Sequence, residues 1–168
     1  MQQKSGFFNS SGGDRVYDAT DFARYFGNLA SNGVFWAVPS NLKVTPGTGV
    51  FVSVGPGAAW INGYNYENTS PLELPLDTPH GVNPRIDRVV LRLSIPERRI
   101  FAAVITGTPA AIPEPPELTR ISDIYELALA DVTVPRAAVT LVAGNIADQR
   151  LNQNLCGLVN SLVSAVYE

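Results

Sequence analysis

The sequence predicts a mainly β fold: an antiparallel, sandwich-like domain with one helix before it and one amphipathic helix after it. Three observations carry this expectation. Thirteen prolines and fourteen glycines are spread along 168 residues, which suits short strands and tight turns better than long helices. From Val89 to Ile95 the chain alternates strictly, with Val89, Leu91, Leu93 and Ile95 on one face and Val90, Arg92 and Ser94 on the other. Helical spacing of apolar residues, at three and four, belongs to the two ends of the chain.

Residues 1–17 read as an arm. Phe7 and Phe8 are adjacent aromatics among Gly and Ser, in a terminal position where disorder is the default. Two buried rings remove several hundred Å² from water, on the order of 150–250 Å² each. The arm is therefore expected to be a docking element for a partner. Asp18 to Ala30 is the leading helix, with Asp18 or Thr20 as N-cap and Phe22, Tyr25, Phe26 and Leu29 on one face. Three aromatics in two turns predict that this face packs on a sheet. Asn32-Gly33 is the expected stop.

The β-rich domain is expected over 18–152, leading helix included. Leu42 to Val44 and Val50 to Val54 alternate and break at Pro46-Gly47 and Gly55-Pro56-Gly57. Ala58 to Ile61 runs into Asn62-Gly63, the strongest two-residue hairpin signal, with Tyr64 to Tyr66 returning. Leu72, Leu74 and Leu76 form a period-two strand that Pro71 and Pro75 confine to a sheet edge. Pro96 to Arg99 turns the 89–95 strand back through Ile100 to Thr106. Thr108 to Pro116, with four prolines in nine residues, is a stiff extended loop. Tyr125 to Val134 is apolar at nearly every position, as a central strand covered on both faces would be, and Val139 to Val142 is a weak further strand. Residues 153–168 are expected to form the closing helix, with Leu155, Leu158, Leu162 and Ala165 as an apolar stripe that begins a stem or mediates self-association.

Composition and motifs exclude more than they offer. The net charge of −3 and the scattered basic residues do not suit nucleic acid. Neither an apolar signal-peptide core at residues 1–6 nor a run of 18 apolar residues occurs, so neither export nor membrane insertion is expected. Cys156 lies in an apolar pattern and reads as a core residue. His80, the one histidine, sits in a turn-like stretch, and one His with one Cys cannot make a zinc cluster. Gly55-Pro56-Gly57 lacks the Lys-Ser/Thr of a phosphate loop. Glu73, Asp77, Asp87 and Asp123 read as turn or strand-end residues, with local ion pairs at Arg85/Asp87/Arg88 and Asp148/Arg150. No catalytic, cofactor or metal residue is expected. Trp60, Tyr64 and Tyr66, beside Asn62, Asn65 and Asn68, leave two readings open: a glycan-stacking platform, or aromatics pairing across a hairpin.

Five stretches, in order, carry a likeness to a family. They are Lys4 to Ser10 with Gly13 to Tyr17; Asp21-Phe22 through Asn32 to Phe35; Pro56 to Tyr64; Arg85 to Arg92; and Tyr125 to Ala130 followed by Asp148 to Arg150 and Leu155 to Gly157. Together they resemble the N-terminal module of baseplate, tail-fibre or receptor-binding-type structural proteins of long-tailed phages and prophages of Gram-positive bacteria. The resemblance implies a virion structural protein, made in the host cytoplasm and built into the tail tip. It implies other tail or baseplate proteins as partners, a homotrimer, and host cell-wall polysaccharide met by a distal part or a partner. It implies no catalytic residue.

Overall fold

A computed structural model describes residues 5–163. Among these residues the chain is mainly β, as expected: one α-helix, α1 (Ala19–Gly27), precedes ten strands. These are β1 (Gly33–Val34), β2 (Val44–Pro46), β3 (Phe51–Val54), β4 (Gly57–Ile61) and β5 (Tyr64–Asn68). Then follow β6 (Leu72–Pro75), β7 (Arg85–Ser94), β8 (Arg99–Ile105), β9 (Ile124–Val134) and β10 (Ile146–Asp148). They form three antiparallel sheets in the orders β1-β4-β5, β2-β3-β6 and β10-β9-β7-β8. The pleat turns Val34, Val52, Ile61, Leu91, Leu127 and Leu129 from all three sheets into one core.

The long strands behave as their sequences require. β9 lies between β7 and β10 and is buried almost throughout. β6 is an edge strand, where its prolines interrupt no ladder. The β7–β9 register slips at Val89/Val90, leaving Leu129 as the extra residue on β9. On the face away from the core, the same ladder sets Arg88 beside Asp131 and Arg92 beside Glu126. Arg88 Nε donates to Asp131 at 2.6 Å and Arg92 Nε to Glu126 at 2.6 Å. The proline-rich segment straps this face, with the Pro116 carbonyl accepting from Arg88 and the Thr119 N–H donating to Glu126 at 2.7 Å. Glu126 is fully buried, so these bonds replace the water it has lost.

Three expectations are corrected. α1 ends at Gly27, with Asn28 as its cap, six residues before Gly33, which instead opens β1. Val139 to Val142 is not a strand; Leu141 is pinned by its N–H to the Gly49 carbonyl, and the chain reaches β10 through a 3-10 turn at Ala143–Asn145. Residues 153–163 do not form the expected helix. Asn152 makes a turn, accepting from the N–H groups of Leu155 and Cys156, and Gly157 follows at φ +83°, a left-handed conformation no helix continues through. Beyond it the chain runs extended beside β1, with Val34 N–H donating to Gly157 O at 3.0 Å and Val159 N–H to Val34 O at 3.1 Å. The bulge helps here: Ala128 N–H donates to Leu155 O. Cys156 is buried and Leu158 packs against the core, while Leu162 is exposed and Ala165 lies outside the described residues. Within 153–163, Cys156 and Leu158 therefore fill the β domain itself.

Candidate functional site

The site begins with the local chemistry of α1. Asp18 is the N-cap: its carboxylate accepts from the N–H of Thr20 at 2.8 Å and of Asp21 at 3.1 Å, and Asp21 reaches back to the Asp18 N–H. The helix sits across the β4–β5 turn through its small residues. Ala23 is buried, and Gly27 faces the Asn62-Gly63 backbone at 3.8 Å or more from the position a Cβ would take. Asn62 at φ +50° and Gly63 at φ +81° make the tight turn the sequence called for. Asn32 locks it further, donating to Asn62 Oδ1 at 2.8 Å and accepting the Asn62 N–H at 2.6 Å.

Small residues make that contact, so the large ones are left over. Phe22, Tyr25, Phe26 and Leu29 are not covered by a sheet as expected: Phe26 meets Trp60 of β4 edge-on, and the three rings stay 47%, 48% and 40% exposed. The N-terminal arm folds onto them. Phe7 lies 5.5 Å from the Tyr17 ring, 5.6 Å from Phe22 and 5.0 Å, edge-on, from Tyr25. Tyr17 clamps the arm: its hydroxyl accepts the Phe8 N–H at 2.8 Å and donates to the Phe8 carbonyl at 3.2 Å. A loop closed by Asp14, which accepts the Ser11 N–H at 2.7 Å, turns the arm back. The ring series continues edge-to-face from Tyr25 to Phe26, Phe26 to Trp60 and Trp60 to Phe35. Phe7 and Phe8 are themselves 47% and 57% exposed. Arm and α1 thus present one aromatic face, bordered by Leu162, whose N–H donates to the Leu29 carbonyl.

The other aromatic group is divided. Ile61 pairs with Tyr64, Trp60 with Asn65 and Ala59 with Tyr66, so Trp60 points to the opposite face of the hairpin from both tyrosines. Tyr64 and Tyr66 pack against the core. Burial raises the Tyr66 hydroxyl above its ordinary pKa. Trp60 is held between Phe26 and Phe35, its indole Nε1 buried without a hydrogen-bond partner. The three therefore form no common stacking platform.

The remaining polar candidates are structural. His80 Nδ1 accepts the backbone N–H groups of Val82 and Asn83, bracing a loop. Asp87, fully buried, accepts from Arg85 Nε at 2.9 Å and from the Gly107 N–H at 2.9 Å. Arg150 is almost fully buried; it pairs with Asp148, donates to the Pro39 and Asn41 carbonyls and lies 4.8 Å over the Trp36 ring. At Asp148, burial raises the pKa, and hydrogen bonds and charge from Arg150 outweigh it, leaving the carboxyl below its ordinary value. Burial pushes the Cys156 thiol up to about 12. Among the described residues, no group of three or more His, Cys, Asp or Glu is placed to hold a metal ion, and no helix is long and apolar enough to cross a membrane.

Phe7 and Phe8 stand out in the sequence, whereas the packing of Phe7 on Tyr17, Phe22 and Tyr25 does not. The chain matches no family model, no curated protein and no solved structure.

Proposed function

We propose that the chain is a structural virion protein: an attachment module that builds a baseplate or tail-fibre component into the tail tip of a long-tailed phage or prophage. The observation that supports this best is the aromatic face of the arm and α1. Phe7, Phe8, Phe22, Tyr25 and Phe26 each keep two-fifths or more of their surface in water. At roughly 200 Å² per ring, that leaves about 500 Å² of aromatic surface exposed, comparable to the largest apolar patch of a typical monomer, which is often functional.

The energetics suit assembly. Burying about 500 Å² at ~25 cal/mol per Å² is worth about 12 kcal/mol gross, of the same order as the roughly 4–15 kcal/mol that association costs in lost freedom. The Tyr17 clamp on Phe8 and the rings around Phe7 hold the arm in place, so little further ordering is needed on docking. The likeness of the five stretches to tail-tip modules supplies the setting. The module docks to other tail or baseplate proteins. Residues 153–163 seat against β1 and do not form the closing helix on which a homotrimer would rest.

The test is location. Particles assembled from the genome that encodes the chain should contain it, and a tag on the exposed Pro96–Arg99 turn should label the tail tip in electron micrographs. Particles complete without the chain would refute the reading.

A further inference from the structure

We infer that β8 pairs with the β8 of a second copy of this chain, antiparallel about a two-fold axis at Ala102, joining their β10-β9-β7-β8 sheets into one. Neither the arm nor α1 takes part.

The edge itself is the first observation. Among the described residues β8 hydrogen-bonds only to β7 and closes one side of its sheet. β5 and β6 lie near it without joining its ladder. Its outward backbone groups therefore face no strand, and Ile100 to Ile105 is an uncharged run without Pro or Gly. Such an edge is a template for another strand, and proteins usually shorten or blunt it. The other edges here follow that rule. β2 and β10 have three residues each, β6 carries Glu73 and Pro75, β5 carries Glu67, and the chain at 157–159 lies along β1. The seven-residue β8 is left bare.

The charges at its two ends select the occupant. At one end Arg99 pairs with Glu97, whereas Arg98 has no acid partner among the described residues. At the other end the Thr106 hydroxyl donates to Asp77 at 2.7 Å, and among the same residues no base pairs with that carboxylate. At ~3.3 Å per residue these ends stand roughly 25 Å apart, so Arg98 does not reach Asp77 within one copy. Antiparallel pairing about Ala102 sets position 98 opposite 106 and brings Arg98 of each copy to Asp77 of the other. Arg98 stands beside Tyr64, Leu93 and Ile100, on the side that faces the core, and Thr106 continues that side from Ile100, Ala102 and Val104. A two-fold axis normal to the sheet keeps the core sides of both copies together, so the opposite charges meet. The same register sets Phe101 against Ala103, Ile100 against Val104 and Arg99 against Ile105. Large side chains meet smaller ones, and no like charges stand opposite each other.

The experiment is sedimentation velocity on the purified full chain from 1 to 100 μM. The wild-type chain should pass from monomer to dimer over this range. Arg98→Asp and Asp77→Arg, both at exposed positions, should each weaken the dimer roughly tenfold, and the double variant should restore it. That rescue has no route within one copy. Ile105→Lys sets a lysine against Arg99 of the other copy and should remain monomeric at 100 μM, whereas Ile105→Glu should dimerise at least as well as the wild type. Phe22→Glu/Tyr25→Glu should dimerise like the wild type. Circular dichroism checks that each variant is folded, and the exposed charge swap decides the matter even if Ile105→Lys unfolds. A wild-type chain monomeric at 100 μM, a double swap as weak as either single variant, a folded Ile105→Lys that still dimerises, or loss of the dimer in Phe22→Glu/Tyr25→Glu would each overturn the pairing. Attachment is decided separately on particles, so the chain can fail to dimerise and still be found at the tail tip, or the reverse.

Discussion

Gly63→Ala tests how α1 is held on the domain. A Cβ at Gly63 would stand 1.9 Å from the Ala23 carbonyl oxygen and 2.6 Å from its carbon, both backbone atoms of the helix. Two terms add. A non-glycine residue at φ +81° carries roughly 1–2 kcal/mol of left-handed strain. Forcing helix and turn apart adds about 1–3 kcal/mol of overpacking. Urea unfolding should therefore show a loss of roughly 2–5 kcal/mol. Ala23→Gly should not rescue it, because the obstruction is the carbonyl and not the Ala23 methyl. In a Trp36→Phe background the emission of Trp60, whose ring meets Phe26 edge-on at 5.6 Å, should shift to the red as the helix lifts. A variant as stable as its parent, with unchanged emission, would mean that α1 does not lie across the turn, and the aromatic face built on it would fall with it.

Three further outcomes follow from Glu126, Asp148 and Cys156. Glu126→Ala should cost about 2–4 kcal/mol in urea unfolding, because Arg92 and the Thr119 N–H lose a fully buried acceptor; Glu126→Gln, which still accepts from Thr119, should cost less. Asp148 has a folded pKa below its ordinary 3.8, so its contribution is fully present above that value and is lost as pH falls through the folded pKa. Urea unfolding followed from pH 7 downward should show Asp148→Asn less stable than the wild type at pH 7, with the gap closing as the pH falls through the folded pKa of Asp148. Cys156, raised by burial to about 12, should resist a disulfide reagent at pH 8 until residues 153–163 detach, and a fast native reaction would contradict their seating on β1.

Much of the fold was legible because it rests on local chemistry. Asn62-Gly63 dictates a two-residue turn, the 89–95 alternation dictates a strand, and the unbroken apolar run of β9 dictates a central one. What failed depended on partners distant in the chain. The 155/158/162 spacing looks helical in isolation, but Gly157 and the β1 edge at Val34 take the segment as an extended strip. Arg88 and Asp131, or Arg92 and Glu126, meet only through the β7–β9 register, which no local pattern announces. The aromatic trio is a different case. A two-residue turn at 62–63 already pairs 61 with 64, hence Trp60 with Asn65, and so separates Trp60 from Tyr64 and Tyr66. That division was readable from the turn alone. The exposed face of α1 was visible as a stripe; that Ala23 and Gly27 would make the close approach to the turn, leaving the rings only the edge-on meeting of Phe26 with Trp60, was not, since only the tight approach to Gly63 requires it.

Incorporation of arm variants into tail particles tests the central claim most directly. Phe7→Ala/Phe8→Ala removes two exposed rings of the face while leaving the β core untouched. The purified variant should melt within a few degrees of the wild type, and particles assembled in its presence should lack the chain. A variant that enters particles at the wild-type level would contradict docking through this face. A melting point lowered by many degrees would instead make the arm part of the domain's own stability, and the attachment account would lose the observation on which it stands.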